Sequence, residues 1–232
     1  MGIEIFSFMM PEGFTGNVIQ NNTLKMYQLK IYAKSQKFSV TRNHIIYTIF
    51  FLGLIPVMVN WLILKSKTLS DFEVVCLSFS FLSIIIGPIL KVIGRNKFKA
   101  LNGSLKSTLK LEKDKIVVDE IVYDLSEIAK LEFKCNDYKG LSSYNWSNRG
   151  DYGNALSNGT NNSVWIKLND NTTYTYYFQQ QSENEIHNAK SELINYYTTG
   201  KLHFQNLIDT LGIKDYEEIQ LFKSTLQQRV VS

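Results

Sequence analysis

The sequence predicts an α+β protein: a two-helix transmembrane hairpin plus a small cytoplasmic β-barrel or sheet that is capped by a C-terminal helix. Two long apolar runs without charge predict the hairpin. Short segments in which apolar and polar residues alternate, bounded by turn residues, predict the strands that follow. Apolar residues spaced three and four apart near the C-terminus predict the helices.

The N-terminal segment, residues 1–44, is expected to lie in the cytoplasm. Its first apolar run starts too late for a signal peptide, and no basic region opens the chain. Within this segment, Leu24 to Val40 alternates enough to add either a strand or an amphipathic helix to the folded domain.

The membrane hairpin is predicted over residues 45–93, with spans at 45–64 and 72–93. The first span has 20 residues without a charge, and at ~1.5 Å per residue it would cross the roughly 30 Å hydrocarbon layer. Only a short polar loop separates the spans, so they must run antiparallel. A buried core hairpin of a soluble protein is the alternative, but two charge-free runs of this length are typical of membrane segments.

Lysine and arginine residues flank both outer ends of the hairpin, so both termini are expected in the cytoplasm by the positive-inside rule. The candidate contacts to lipid head groups are the cations that flank the hairpin: Lys34, Lys37, Arg42, Lys91, Arg95, Lys97 and Lys99. The plainer interpretation is that these residues only set topology. The composition fits an AT-rich bacterial gene, so the expected location is the inner membrane.

The cytoplasmic domain is predicted over residues 97–198, with a polar insertion at 136–163 and a helical extension at 199–232. Strands are expected from Leu105 to Leu111, from Ile116 to Val118, from Ile121 to Tyr123 and from Ile128 to Cys135, with turns at Glu112 to Asp114 and at Asp119-Glu120. A hairpin from Val164 to Phe178 follows. A helix is expected after Ser182, which forms a capping box with Glu185, and Gly200 ends it.

The order LKLEKDKIVVDEIVYDLSEIAKLEF, VWIKLNDNTTYTYYF and SENEIHNAKSELINYY resembles the bacterial pleckstrin-homology-like (PH-like) domains that follow paired membrane helices. The corner of Tyr123, Leu125, Ser126, Glu127 and Ile128 carries much of this resemblance. It implies a barrel closed by a helix and a role in binding. The polar insertion and about thirty extra C-terminal residues depart from that pattern.

The sequence lacks the patterns of catalytic and nucleotide sites. Three histidines stand in no metal-ligand spacing, and neither a phosphate loop nor a nucleophile elbow is present. We therefore expect no enzyme activity, no cofactor and no metal. Residues 96–232 carry 16 cationic and 17 anionic side chains, which argues against binding of nucleic acid.

The expected function is that of a membrane-anchored interaction or regulatory module, which binds a protein partner or lipid head groups at the inner leaflet. The expected protein partner is another protein or a second copy of the chain. The alternative is a sensor-effector or immunity protein, whose soluble domain recognises a ligand or toxin while the spans act in the membrane. An adhesin that uses Arg149-Gly150-Asp151 would need that loop outside the cell, whereas the positive-inside rule places it in the cytoplasm. The insertion is long enough to be functional or disordered. Candidate interface residues are aromatic: Tyr144, Trp146, Tyr152, Trp165, Tyr174 and Tyr176.

Overall fold

The computed structural model describes residues 27–37, 39–65, 68–144 and 151–231. Within these ranges the chain is α+β, with a large antiparallel sheet, a small two-stranded sheet, an apolar helical hairpin and three further helices. The strands are β1 Tyr27–Lys34, β2 Gly103–Leu111, β3 Lys115–Val118, β4 Ile121–Asp124, β5 Ile128–Lys134, β6 Lys139–Ser142, β7 Leu156–Asn158, β8 Asn162–Leu168 and β9 Thr173–Gln179. The helices are α1 Arg42–Val59, α2 Asp71–Gly94, α3 Lys190–Thr198, α4 Phe204–Thr210 and α5 Tyr216–Val231.

The large sheet has seven strands in the order β4-β3-β2-β1-β9-β8-β5, with every neighbouring pair antiparallel. Strand β1 lies at its centre, so within the segment Leu24 to Val40, which allowed either a strand or a helix, residues Tyr27–Lys34 form a strand. Its side chains alternate, with Tyr27, Leu29 and Ile31 buried. This two-residue period lets one face of the strand join the core.

The apolar hairpin consists of Arg42–Leu64, in which α1 continues as a π-helical turn, and Asp71–Gly94. Both helices are long and apolar enough to cross a membrane, and they agree with the predicted spans to within a few residues. Only 17% and 22% of their most apolar stretches are buried. This low burial distinguishes them from the core helices of a soluble protein.

The hairpin is inserted between two paired strands of the sheet. Lys34, at the end of β1, pairs with Gly103, at the start of β2. Since these two strands are neighbours, the chain leaves and re-enters the sheet at the same place. Both outer ends of the hairpin therefore lie next to the sheet, while the loop between the helices lies at the far end.

The sheet is open, so the expected closed barrel is wrong and the alternative of a sheet is correct. The free edge of β5 is covered by the link between α3 and α4: Leu131 donates its backbone N–H to the Lys201 carbonyl at 2.7 Å. Asn206 bonds both the N–H and the carbonyl of Phe133, at 2.8 and 2.7 Å. Because these backbone groups are already hydrogen-bonded, the edge of β5 cannot pair with β4 to close a barrel.

The open sheet is nevertheless strongly coiled. The hydroxyl groups of Tyr123 on β4 and Tyr176 on β9 lie 2.5 Å apart, although three strands separate β4 from β9. Such a contact across the sheet requires it to curl around its apolar face. Burial and the neighbouring Tyr176 hydroxyl raise the pKa of Tyr123 above its usual value.

Helix α3 packs over the core as the predicted capping helix. Leu193 and Tyr196 are fully buried, and the Tyr196 hydroxyl donates to the Glu112 carbonyl in the β2–β3 turn at 2.5 Å. The helix starts later than expected. Residues Glu185–Ala189 form a 3-10 turn, and the Glu185 carboxylate accepts from the N–H of Gln181 rather than from that of Ser182, as the predicted capping box would require. Gly200 ends the helix with a φ of 74°.

Helices α4 and α5, in the predicted extension at 199–232, belong to the same apolar core as the sheet. Leu207, Ile208 and Leu226 are buried in one cluster with the strands. The α4 helix ends at Gly212, whose φ is 64°. Helices α4 and α5 therefore pack on the sheet as part of one core.

Candidate functional site

The site with the most unusual geometry is the place where the polar insertion meets the apolar hairpin. We name residues 151–156 the docking segment, and we name its contact with the two helices the junction. Within the insertion, β6 and β7 form the small second sheet, and Ser143 donates from both its N–H and its hydroxyl to the Ala155 carbonyl, each at 2.9 Å. These bonds fix the docking segment beside residues 141–144.

Asn43, in the first turn of α1, joins the docking segment to the first helix. Its side-chain oxygen accepts from the N–H of Tyr152 at 2.8 Å, and its side-chain nitrogen donates to Asp151 at 3.2 Å. The Asp151 carboxylate also accepts from the N–H of Gly153 at 3.0 Å. This backbone bond first, then Asn43, Lys99 and Lys91, hold the pKa of Asp151 below its usual value.

Glycine residues on α2 make room for the docking segment on the second helix. A Cβ atom at Gly87 would lie 2.6 Å from the Tyr152 ring, and one at Gly94 would lie 2.7 Å from the Gly153 carbonyl oxygen. Both distances are below 3.0 Å, so a Cβ at either position would force the Tyr152 ring or the Gly153 backbone to move. The Tyr152 ring also faces Tyr47 of α1, with 6.0 Å between ring centroids.

Backbone hydrogen bonds extend the junction beyond the end of α2. Ala155 donates to the Gly94 carbonyl at 3.0 Å, Leu156 donates to Lys97 at 3.0 Å, and Lys99 donates to Leu156 at 2.8 Å. The Asn154 side chain adds a bond to the Phe98 carbonyl at 2.7 Å. The docking segment thus contacts α1, α2 and the chain that leads from α2 into the sheet.

The predicted aromatic residues lie at three separate places. Tyr144 and Tyr152 are at the junction, where the Arg95 guanidinium lies 5.1 Å from the Tyr144 ring centroid. Trp165 lies on the opposite sheet face from the buried Val164 and Ile166, with the Lys130 ammonium 5.8 Å from its ring. Tyr174 and Tyr176 stack beside Tyr123 on the coiled face of the sheet. Trp146 and the first two residues of Arg149-Gly150-Asp151 lie outside the described residues.

The lysine and arginine residues predicted to contact lipid head groups also lie at several separate places. Lys91 is buried on α2, and its ammonium lies 5.9 Å from the Tyr144 ring centroid. Arg42 and Lys99 line a cavity of about 420 Å³ beside the docking segment. Lys34 and Lys37 line a neighbouring cavity of about 570 Å³ that shares Ser39 and Asn102 with the first. Lys97 is exposed in the turn that follows α2.

The sequence prediction did not identify Asn43, Gly87 or Gly94 as parts of a site. A signal for the two glycines is present, because small residues recur on one face of α2 at Ser80, Ser83, Gly87 and Gly94. Ser80 lies where α1 and α2 cross closely: its hydroxyl donates to the Phe50 carbonyl at 3.0 Å. Tyr152 packs on the same face of α2 about two turns further along, at Gly87.

Two of the histidines cap helices. The ring nitrogen Nδ1 of His44 accepts from the N–H of Thr41, and that of His203 accepts from Gln205, each at 3.3 Å. Among the described residues, histidine, cysteine and acidic side chains form no cluster that could hold a metal ion.

No protein-family model, no curated protein and no solved structure matches the chain.

Proposed function

We propose that the protein is a non-enzymatic, membrane-anchored interaction or regulatory module, whose PH-like domain binds a protein partner or lipid head groups at the inner leaflet. The observation that carries this proposal is the insertion of an exposed apolar hairpin between the central strands of the sheet. Large side chains on it are widely exposed, including Trp61 at 74% and Phe81 at 65%. Lipid is the solvent in which such surfaces are stable.

The connection between hairpin and sheet supports a location of the domain at the membrane surface. Two chain segments, residues 35–41 and 95–102, tie the sheet to the hairpin, and the docking segment adds a third attachment. A domain held in this way meets ligands at the membrane rather than in the bulk cytoplasm. The excess of cations beside the outer ends of the hairpin supports a cytoplasmic location.

The coiled sheet supports the PH-like part of the proposal. The resemblance implies a helix-closed barrel: the chain has the helix over its core and the corner after β4, but a strongly bent open sheet takes the place of the barrel. Binding of a protein partner is supported by exposed apolar and aromatic residues on two parts of the sheet. Ile121 and Val122 on β4 are 53% and 49% exposed, and Tyr177 on β9 is 47% exposed.

The test is co-purification of the full chain from native membranes after crosslinking, together with binding to vesicles that contain anionic lipid. The proposal predicts a specific crosslinked protein or selective vesicle binding. A matched variant, Ile121→Ser with Val122→Ser, should lose the protein crosslink while retaining its membrane location. A chain that gives neither a crosslink nor lipid selectivity contradicts this function.

A second function, the sensor-effector or immunity protein, is favoured by the junction itself. Because the docking segment contacts both helices, a ligand that moved the segment would also act on the hairpin. Gene deletion in the native genetic context should then change sensitivity to a phage or toxin. An unchanged sensitivity contradicts this second function and leaves the first intact.

A further inference from the structure

The cavity of about 420 Å³ beside the docking segment has the composition of an anion site. Three chain segments surround it: the first residues of α1, the segment after α2 and the docking segment. Its charged lining residues are Arg42, Lys99 and Asp151, and Asn154 adds a polar side chain.

Two of the residues that line this cavity each have a buried polar atom without a hydrogen-bond partner in the described parts of the chain. These atoms are the Nη1 nitrogen of Arg42 and the side-chain oxygen of Asn154. A buried guanidinium N–H that lacks a partner costs more than a neutral group in the same position, because its charge is also desolvated. Arg42 lines the cavity, is only partly buried as a whole residue, and has donor capacity that the described residues leave unused.

The charge balance favours a singly charged anion. Arg42 and Lys99 contribute two positive charges, and Asp151 contributes one negative charge. Oδ1 of Asp151 accepts from both Gly153 and Asn43, and among the described residues no ion pair joins this carboxylate to Arg42. One positive charge remains uncompensated, and a phosphodiester carries one negative charge.

The helix start strengthens the same preference. The positive end of the α1 dipole points to the cavity, and its first turn contains no acidic residue. Lys34 and Lys37 in the adjoining cavity add positive potential, which decreases with distance and salt.

The depth of the cavity favours a lipid over a soluble phosphate. Arg42 precedes Ile45, the first residue of the apolar run, by three residues, which corresponds to about 5 Å along a helix. The head-group region of a bilayer extends roughly 5–8 Å beyond the hydrocarbon on each side. With the hairpin inserted, Arg42 lies at the level of lipid phosphates.

We infer that this cavity binds the phosphodiester of a membrane lipid, with Arg42 as its principal donor and Lys99 as a second cation. Guanidinium groups suit phosphate because several N–H donors lie in one plane. This inference rests on the proposed function, since it requires the hairpin to be in the membrane. It adds a defined lipid site that uses α1 and the polar insertion rather than the sheet.

The test is native mass spectrometry of the full chain, purified in detergent and titrated with phosphatidylglycerol. Arg42→Gln should weaken binding of the first lipid by about 10- to 100-fold, the expected effect of losing one charged hydrogen bond. Lys99→Gln should weaken it less, and Lys97→Gln, whose cation lies outside the cavity, is the matched control. Equal losses in all three variants would show diffuse attraction and overturn the inference.

Inorganic phosphate, added alone at millimolar concentration, distinguishes a soluble ligand from a lipid. It should leave the first lipid bound, whereas full displacement contradicts the assignment to lipid. Circular dichroism confirms folding of each variant, and Arg42→Lys should retain part of the affinity if Arg42→Gln proves unstable.

Carbonate extraction of the same membranes tests the proposed function separately. A chain that stays in the membrane but binds lipid equally well after Arg42→Gln and Lys99→Gln refutes only the lipid site.

Discussion

Substitution of Gly94 by alanine should displace the docking segment and weaken its attachment to the hairpin. The added Cβ would lie 2.7 Å from the Gly153 carbonyl oxygen, whereas ordinary contacts begin at 3.4 Å, so the segment must move by about 0.7 Å. The obstacle is backbone and cannot rotate away as a side chain could. Overpacking of this kind typically costs about 1–3 kcal/mol.

The displacement acts on hydrogen bonds that can be measured. Ala155 donates to the Gly94 carbonyl itself, and Leu156 donates to Lys97. A local cost of about 1–3 kcal/mol corresponds to roughly 5- to 150-fold faster amide exchange at these two positions. Hydrogen–deuterium exchange of the protein in lipid nanodiscs measures it.

The matched control for this experiment is Ile93→Ala. Its side chain is 49% exposed on the neighbouring position of the same helix, so its loss should leave exchange of the docking segment unchanged. Equal exchange at Ala155 in the Gly94→Ala variant and the unmodified protein would refute the reasoning, and so would equal acceleration by both variants.

Three further predictions concern residues outside the apolar hairpin. Leu226→Ala should lower the free energy of unfolding by about 2–5 kcal/mol in urea denaturation, while Leu221→Ala, on an exposed part of the same helix, should change it by less than about 0.5 kcal/mol; equal effects would mean that α5 does not pack on the sheet. Burial raises the pKa of the Cys135 thiol to about 12, so in a Cys76→Ala background maleimide should label the folded chain at pH 8 far more slowly than the urea-unfolded chain, and equal rates contradict this. The folded pKa of Asp151 lies below its unfolded value of about 3.9, so its contribution is complete above that pH and is lost as pH falls through the folded pKa; the thermal midpoint of Asp151→Asn should lack this acid-side decrease, and identical pH profiles argue against it.

The strands and the apolar hairpin could be predicted because their signals are local. Alternation in β1, β8 and β9, and two charge-free runs, are properties of short segments, and burial follows them directly. Gly200 and Gly212 likewise indicate helix ends from their immediate surroundings. None of these features depends on which strand lies beside which.

The open sheet could not be predicted, because it depends on a contact between distant residues. Asn206 occupies the edge of β5 at Phe133, and no local pattern near either residue indicates that pairing. The junction is similar. The spacing of Gly87 and Gly94 is visible in the sequence, but only the folded chain shows that Tyr152 and Gly153 fill the space that they leave.

The aromatic residues illustrate a further limit of composition. Tyr144 and Tyr174 are both aromatic residues in a polar context, yet one lies beside Arg95 at the junction and the other stacks on Tyr123. Composition identifies residues that can form contacts. The register of β8 and β9 then decides which face each of them occupies.

The most direct test of the central proposal, a domain anchored at the cytoplasmic surface by an inserted hairpin, is topology mapping in intact cells. Reporter domains are inserted after residue 69, in the hairpin loop, and after residue 150, in the polar insertion. The proposal predicts a periplasmic signal at residue 69 and a cytoplasmic signal at residue 150. A periplasmic signal at residue 150, or the same side at both positions, contradicts it.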